Sequence, residues 1–180
     1  MAKAKHSFKC RNEILVLLRG QDMIEIERKF LVRQELLPPL VGGQAIIQGY
    51  LCKTPQIRFR IINESIIIGI KQSLPDGSRF ELETQKGKSS HSERLYLERM
   101  SLYPVIEKTR YRVKEKDLVW EIDVYAKENE GLITVDVELP ALDYKISFPD
   151  WVDEAAEITT NSLYFNTNLG VNPYKTWEST

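Results

Sequence analysis

The chain has 180 residues, a formal net charge of −1 and an isoelectric point of about 6.2. This length suits one domain with a sizeable core. The balanced charge gives no global attraction to nucleic acid or to an anionic membrane, and no apolar run approaches the roughly 20 residues of a membrane span. Cys10 and Cys52 lack metal-type spacing and are too few for a disulfide framework, which favours the reducing cytoplasm.

Residues 1–22 combine basic residues with a short apolar run at 14–18. The run is too short for a signal-peptide core, and no small-residue cleavage site follows it. We therefore predict an N-terminal appendage at 1–22, which either precedes an authentic start at Met23 or contributes a short helix at 12–19 packed on the domain. Residues 175–180 are predicted to be a C-terminal tail.

The stretch 23–32, MIEIERKFLV, has charged residues at alternate positions, Glu25, Glu27 and Lys29, with mainly apolar residues between them. Successive side chains of an extended chain point to opposite faces, so this pattern predicts a strand with one charged and one apolar face. Further alternating or β-rich runs predict strands at 44–51, 56–62, 65–72, 78–86, 103–114, 117–125 and 131–139.

The connections between these runs are short. Asn63-Glu64 and Pro75-Asp76-Gly77 are typical turn sequences. The period changes to that of an amphipathic helix at 90–101, and a final helix is predicted at 161–169, ending at Gly170. About eight strands with short turns indicate a mainly antiparallel meander or barrel with a few helices, an α+β fold dominated by β-structure.

The charges on the alternating strands are grouped by sign. The acidic set comprises Glu25, Glu27, Glu81, Glu83, Glu121, Asp123, Asp136 and Glu138. The basic set comprises Lys29, Arg58, Arg60, Lys71, Lys108, Arg110 and Arg112. A barrel with this face inward would enclose a polar tunnel, with the apolar face outside under the helices. Confined charges are costly unless they pair or bind ligands.

Two interpretations of such a tunnel remain open from the spacing alone. Arginine binds phosphate oxygens in a bidentate manner, and clustered carboxylates suit hard divalent cations such as Mg²⁺ or Mn²⁺. The two sets together favour a metal-bridged polyphosphate as the ligand. The alternative is an internal lattice of salt bridges that binds nothing.

The motif Glu25-x-Glu27-x-Lys29 resembles the ExExK signature of the CYTH domain, also called the triphosphate tunnel metalloenzymes. Similar segments follow in order across residues 23–174: QGYL at 48–51, RFR at 58–60, IGIK at 68–71, RFELE at 79–83, EKTRYR at 107–112, WEIDVY at 120–125, EGL at 130–132, VDVEL at 135–139, PDW at 149–151 and NSLYFNTNL at 161–169. Two positions depart from the family pattern, because Gly69 stands where threonine is usual and Asp136 where glutamate is usual.

This resemblance implies an eight-stranded antiparallel tunnel that hydrolyses or cyclises triphosphate compounds with a divalent metal. The residues that match the metal-binding carboxylates are Glu25, Glu27 and Glu138, with Asp136 beside them. Those that match the phosphate-binding cations are Lys29, Arg58, Arg60, Lys71, Lys108 and Arg110, and Arg112 shares their face. Because aspartate is shorter by one methylene, Asp136 is expected to reach a metal only through water. Glu81, Glu83, Glu121 and Asp123 are expected to support the tunnel walls.

The leading hypothesis is a Mg²⁺- or Mn²⁺-dependent phosphohydrolase that converts inorganic triphosphate to phosphate and pyrophosphate. The alternatives are an adenylate cyclase that forms cyclic AMP from ATP, a thiamine triphosphatase, and a module that binds polyphosphate or nucleotide without turnover. Neither a nucleic acid nor a membrane partner is expected, and the oligomeric state is left open. The interior is expected to be almost all charged, without an aromatic cluster for a purine. Tyr50, Tyr111 and Tyr164 are interpreted as packing residues.

Overall fold

The structure, a computed structural model, describes residues 26–73 and 79–177. The described residues form nine strands: β1 Ile26–Val32, β2 Gln44–Lys53, β3 Gln56–Ile62, β4 Ser65–Ser73, β5 Arg79–Lys86, β6 Ile106–Glu115, β7 Leu118–Tyr125, β8 Ile133–Leu139 and β9 Val152–Glu157. Two α-helices, α1 His91–Met100 and α2 Asn166–Leu169, accompany 3-10 helices at Gln34–Leu36, Lys127–Asn129, Ser162–Tyr164 and Tyr174–Thr176. The predicted turn at 75–77, the start of the first strand at 23–25 and the appendage at 1–22 lie outside the described residues.

The strands belong to one antiparallel sheet in the order β5-β4-β3-β2-β6-β7-β8-β1-β9. The predicted class, a mainly antiparallel β-fold with few helices, is confirmed. The prediction of eight strands missed β9, whose sequence VDEAAE lacks the apolar alternation of the others. Within the described residues the hydrogen-bond ladder stays open between β5 and β9. The barrel is therefore a wrapped sheet with two edges.

The helix predicted at 90–101 is confirmed as α1. Ser90 is its N-cap, and the capping box with Glu93 satisfies backbone donors at both positions. The single helix predicted at 161–169 was wrong, because the described chain forms a 3-10 turn and then the one-turn helix α2. Phe165, in an extended conformation, separates the two, and α2 ends at Gly170 as predicted. No helix within the described ranges has the length and apolarity to cross a bilayer.

The main apolar core lies on the outer face of β1, β7 and β8. Phe30 and Trp120 are fully buried there, and the ring of Trp120 lies 5.7 Å from that of Trp151. The segment 140–149, predicted as a linker or a short helix, contains neither helix nor strand, and its Phe148 packs against Phe30 at 5.2 Å. This covering leaves the opposite, charged face of the same strands directed inward.

A second apolar cluster closes one end of that inner face. Tyr125 and Ile106 lie at the same end of the antiparallel pair β6–β7, and both pack with Leu169 of α2. The packed chain continues beyond residue 174, the predicted end of the domain, because the ring of Trp177 lies 5.1 Å from that of Tyr164. The C-terminal segment thus covers an end of the sheet that the charge pattern alone had left open.

Candidate active site

The inner face of the sheet surrounds a cavity of about 1090 Å³. Each of the strands β1 to β8 contributes lining residues, whereas β9 pairs outside β1. The predicted site residues that line the cavity are Glu27, Lys29, Arg58, Arg60, Lys71, Glu81, Glu83, Lys108, Arg110, Glu121, Asp136 and Glu138. The sheet therefore brings together charges that lie more than one hundred residues apart in sequence.

Two predicted site residues are placed differently, and a third is not among the described residues. Asp123 does not line the cavity, because it is fully buried beneath Lys108 and Arg110. Arg112 is also absent from the lining; its side chain is exposed and donates to Glu121 at 2.8 Å. Glu25 lies outside the described residues.

Strand register explains why these charges share one face. Across β6 and β7, Arg110 lies opposite Asp123, and across β1 and β8, Lys29 lies opposite Asp136. Directly opposed residues of an antiparallel pair point to the same side, with Cβ atoms about 4.5–5.5 Å apart. The alternation in sequence thus becomes a set of opposed charges on the inner face.

Arg110 is the centre of an ion-pair network on β6, β7 and β8. Its guanidinium donates to both carboxylate oxygens of Asp123 at 2.7 Å, and it also binds Glu121 and, at 3.1 Å, Asp136. Asp123 additionally accepts from Lys108 Nζ at 2.5 Å, and Asp136 lies 2.7 Å from Lys29 Nζ. These carboxylates fix the directions in which three cations face the cavity.

The network shifts the pKa values of its members in opposite directions. Burial lowers the pKa of Lys108, and the neighbouring cations Arg110 and Lys29 add to this, so that the pKa falls to about 8 although Asp123 opposes the change. Burial alone would raise the pKa of Asp123, but Lys108 and Arg110 outweigh it and hold that pKa below its ordinary value. For Lys29, desolvation is outweighed by nearby negative charge, including Asp136, so its pKa is raised.

The opposite wall, formed by β3, β4 and β5, carries a second set of ion pairs. Glu83 lies 2.5 Å from Arg60 and 3.7 Å from Arg58, and Glu81 lies 2.9 Å from Lys71. Desolvation, together with repulsion from Arg60, lowers the pKa of Arg58. Each cation that lines the cavity therefore has a carboxylate partner in the ligand-free chain.

Glu27 and Glu138 are different, because they are directly opposed to each other on β1 and β8. Both are exposed to the cavity, and neither forms an ion pair within the described part of the chain. Desolvation and then the charge of Asp136 raise the pKa of Glu27. Like charges directly opposite each other destabilise a sheet, and oxygen ligands are those that hard divalent cations prefer. The pair therefore fits a cation.

The described residues alone do not complete a metal site. Among residues 26–73 and 79–177 no group of three or more acidic, histidine or cysteine residues is arranged to hold a metal ion. The third carboxylate that sequence analysis assigns to the metal, Glu25, lies one position before the described range and two before Glu27. The donor set within the described residues is thus two opposed carboxylates.

Sequence reasoning missed the neutral part of the lining. Gln48 and Tyr50 on β2 face the cavity, and Tyr164 and Phe165 of the C-terminal segment line it as well. The expectation of an almost wholly charged interior was therefore wrong, and Tyr50 lines the cavity as well as packing against Tyr103. The signal was available in the register, because Gln48 lies opposite Arg60 and Tyr50 opposite Arg58.

A wrapped antiparallel sheet with inward cations and opposed carboxylates defines a polyanion-binding tunnel protein. The chain is 35% identical over 156 residues to the inorganic triphosphatase of Acetivibrio thermocellus. The aligned region covers 86% of this chain and 97% of that protein. Two crystal structures of NE1496 are similar to this chain, one described as a hypothetical protein and the other as an inorganic triphosphatase. Their TM-scores are 0.60 and 0.61, their sequence identities 27% and 28%, and the alignments cover 82% and 84% of this chain and 97% of each NE1496 chain. No protein-family model matches the chain. The chain belongs to the CYTH family, the triphosphate tunnel metalloenzymes.

Proposed function

We propose that the protein hydrolyses inorganic triphosphate to phosphate and pyrophosphate and needs a divalent metal ion to do so. The observation that carries this proposal is the opposed pair of carboxylates Glu27 and Glu138 at a cavity that is also lined with lysine and arginine side chains. The similarity to an inorganic triphosphatase over most of both chains supports the same reaction.

The basic residues would hold the phosphate chain and stabilise the charge that develops during hydrolysis. Arg58 and Arg60 act from β3, and Lys29, Lys108 and Arg110 act from the opposite wall. Their carboxylate partners orient them before the substrate arrives, so little reorganisation is needed at the moment of reaction. Guanidinium groups also provide the bidentate geometry that suits phosphate oxygens.

The metal ion, Mg²⁺ or Mn²⁺ in this proposal, would be held by Glu27 and Glu138, with Glu25 as the expected third carboxylate. When bound, such an ion neutralises phosphate charge and lowers the pKa of a coordinated water. Asp136 has a different role in this proposal, because its carboxylate is already engaged by Lys29 and Arg110. It would position these two cations, and any contact with the metal would pass through water.

The substrate is proposed to be a small triphosphate, with neither nucleic acid nor membrane as a partner and with the cytoplasm as the setting. Most of the binding free energy would come from the phosphate chain, since lysine and arginine side chains line the cavity on both walls. Pyrophosphate should be a poor substrate, because it would leave part of the basic set without an anion.

The test compares inorganic triphosphate, ATP, thiamine triphosphate and pyrophosphate at equal free Mg²⁺, and then at equal free Mn²⁺. Phosphate, pyrophosphate and cyclic AMP are measured in each sample. We expect kcat/KM to be highest for inorganic triphosphate, with one phosphate and one pyrophosphate per turnover. Faster consumption of ATP with release of cyclic AMP would support a cyclase instead, and tight binding without any product would support a binding module.

A further inference from the structure

Strand β2 lies between the two basic walls of the cavity. In the sheet order it separates β3, which carries Arg58 and Arg60, from β6, which carries Lys108 and Arg110. Neighbouring strands are about 4.8 Å apart, so the two walls are about two strand spacings from each other at this point. A phosphate chain that contacts Arg58 or Arg60 and also Lys108 along the sheet surface therefore passes over the inner face of β2.

The inner face of β2 carries neutral polar groups at this place. Gln48 is 2% exposed and Tyr50 is 7% exposed, and both line the cavity. Gln48 Nε2 and the Tyr50 hydroxyl are 2.7 Å apart and form a hydrogen bond. We refer to these two side chains as the Gln48–Tyr50 pair.

The chain between and around these two residues is shaped to hold them. Gly49 lies on the outer face, where a Cβ atom would come within 2.3 Å of the ring of Phe59. Only glycine allows Phe59 to pack this closely beneath the pair. A register shift between Tyr50 and Cys52 follows at once, and such bulges often redirect a side chain next to an active site. The ring of Tyr50 packs edge-on against Tyr103 at 6.4 Å.

The hydrogen-bonding capacity of the pair is not exhausted by its internal bond. The Tyr50 oxygen accepts from Gln48, so its own O–H proton needs another acceptor. If the amide is turned, the hydroxyl donates to the amide oxygen and the amide N–H groups become the free donors, so in either orientation the pair keeps a donor that its internal bond does not use. The charged groups that act on the hydroxyl are Arg58, Lys29 and Arg60, which carry no acceptor.

The hydroxyl keeps its proton under physiological conditions. Burial raises the pKa of Tyr50, and Arg58 opposes this without reversing it. A further cation at this position would add to the repulsion that already lowers the pKa of Arg58. A neutral donor strengthens phosphate binding without adding to that repulsion.

We propose that the Gln48–Tyr50 pair is a substrate-binding element that donates a hydrogen bond to a phosphate oxygen of the chain held between Arg58 and Arg60 on β3 and Lys108 on β6. This inference rests on the proposed function, since it takes the ligand to be a triphosphate. It assigns to β2 the central part of the phosphate chain and leaves its two ends to the basic walls.

The test measures binding separately from turnover. Calorimetric titration with inorganic triphosphate in EDTA gives the affinity of the metal-free protein, and Tyr50→Phe removes the hydroxyl while keeping the ring on Tyr103. We expect its affinity for triphosphate to fall about tenfold or more, the effect of losing one hydrogen bond to a charged group. Orthophosphate, which can bind at either wall without crossing β2, should lose much less. Tyr96→Phe, at an exposed tyrosine of α1, is the matched control.

A double-mutant cycle that combines Tyr50→Phe with Gln48→Leu shows whether the two side chains act as a unit. If they do, the double variant should bind triphosphate little more weakly than Tyr50→Phe alone. Thermal unfolding of each variant reports stability separately, because Tyr50→Phe leaves the buried Gln48 amide without its partner and should lower Tm. Affinities are therefore compared at a temperature at which every variant is folded.

The possible outcomes separate this inference from the proposed function. Wild-type protein that hydrolyses triphosphate, with unchanged affinity in Tyr50→Phe, would overturn the inference and leave the function standing. Wild-type protein that binds triphosphate without hydrolysing it, with a weakened Tyr50→Phe variant, would support the inference and overturn the function. Absence of triphosphate binding by the wild-type protein in EDTA would overturn the inference, and absence of hydrolysis with Mg²⁺ or Mn²⁺ as well would overturn both.

Discussion

Glu27 and Glu138 face each other across the ladder between β1 and β8, while each basic residue that lines the cavity is already paired with a carboxylate. A lattice of salt bridges that served only the fold would place a cation between these two glutamates. Like charges at opposed positions of an antiparallel pair repel, so we expect this opposition to lower the stability of the metal-free sheet. Such a local cost is typical of a site shaped for a ligand rather than for the fold.

Because Glu27 and Glu138 are directly opposed, we predict that bound Mg²⁺ raises the thermal stability of the protein. Glu27→Gln removes one charge of the pair at constant size, so the metal-free variant should unfold at the same temperature as the wild type or slightly higher. Added Mg²⁺ should raise the Tm of the wild type clearly and that of the variant little, because binding to the folded state alone stabilises it. Hydrolysis should fall by orders of magnitude.

The control for this experiment is Glu154→Gln, at an exposed glutamate of β9 that lies outside the cavity lining. It should reproduce the wild-type response to Mg²⁺ in both assays. Near-normal turnover of Glu27→Gln at ordinary Mg²⁺ would remove Glu27 from the metal site.

We predict that deprotonation of Lys108 sets the alkaline limit of activity. With a pKa lowered to about 8, its ammonium is charged below that pH and loses its proton as the pH rises through it. Since the charged form binds phosphate, kcat/KM for triphosphate, which reports the free enzyme, should decline above about pH 8. Lys108→Arg keeps its charge at any accessible pH and should move the decline upward, at a lower absolute rate.

A matched substitution, Lys175→Arg, concerns an exposed lysine paired with Glu130 and should leave the pH profile unchanged. If the wild type and Lys108→Arg show the same alkaline limb, the titrating group is not Lys108.

The alternation of charged and apolar residues was sufficient to predict the strands and the face that each turns inward. In runs such as WEIDVY, charged and apolar residues alternate with the two-residue period of a strand. For this reason the predicted bounds of β7 were correct to within one residue. β9 was missed because Ala155 and Ala156 lie between acidic residues and give no apolar face. It exists because Phe30 and Val32 of β1 offer a free edge for pairing.

The alternation of charged and apolar residues predicts which face of a strand a side chain occupies, but not which residue lies opposite it. The sequence grouped Asp123 with the tunnel carboxylates, but only the register shows that it lies beneath Lys108 and Arg110 and that Glu27 meets Glu138. The neutral groups of β2 were missed for a related reason. Gln48 and Tyr50 carry no charge, so a search by charge passes over them, although they share a face with Arg58 and Arg60.

A chain that begins at Met23 should fold and hydrolyse triphosphate like the full chain. The described sheet begins at Ile26, and every candidate residue from Glu25 onward is retained. Circular dichroism, Tm and kcat/KM of the two chains are the measurements. An insoluble or inactive truncated chain would mean that residues 1–22 belong to the domain, as the packed-helix alternative holds.

The last prediction separates residues that support the site from residues that bind the ligand. Asp123 is fully buried and is the shared partner of Lys108 and Arg110, so Asp123→Asn leaves the buried Lys108 without its carboxylate, whereas Arg110 keeps Glu121 and Asp136. Breaking a buried pair in this way costs about 3–5 kcal/mol of the free energy of unfolding. The pKa of Lys108 should also fall further, because Asp123 is the group that opposes its desolvation. Denaturant unfolding and the alkaline limb of kcat/KM measure the two effects.

Arg58→Ala is the contrasting variant, because Glu83 keeps Arg60 as a partner at 2.5 Å when Arg58 is removed. Its loss relieves like-charge repulsion on β3, so the free energy of unfolding should hardly change. Triphosphate binding should weaken by about 1.5–3 kcal/mol, the value of a hydrogen bond to a charged group. If Arg58→Ala proves as destabilising as Asp123→Asn while triphosphate affinity is unaltered, then the wall of β3 serves the fold, and the salt-bridge lattice is the better description of the cavity.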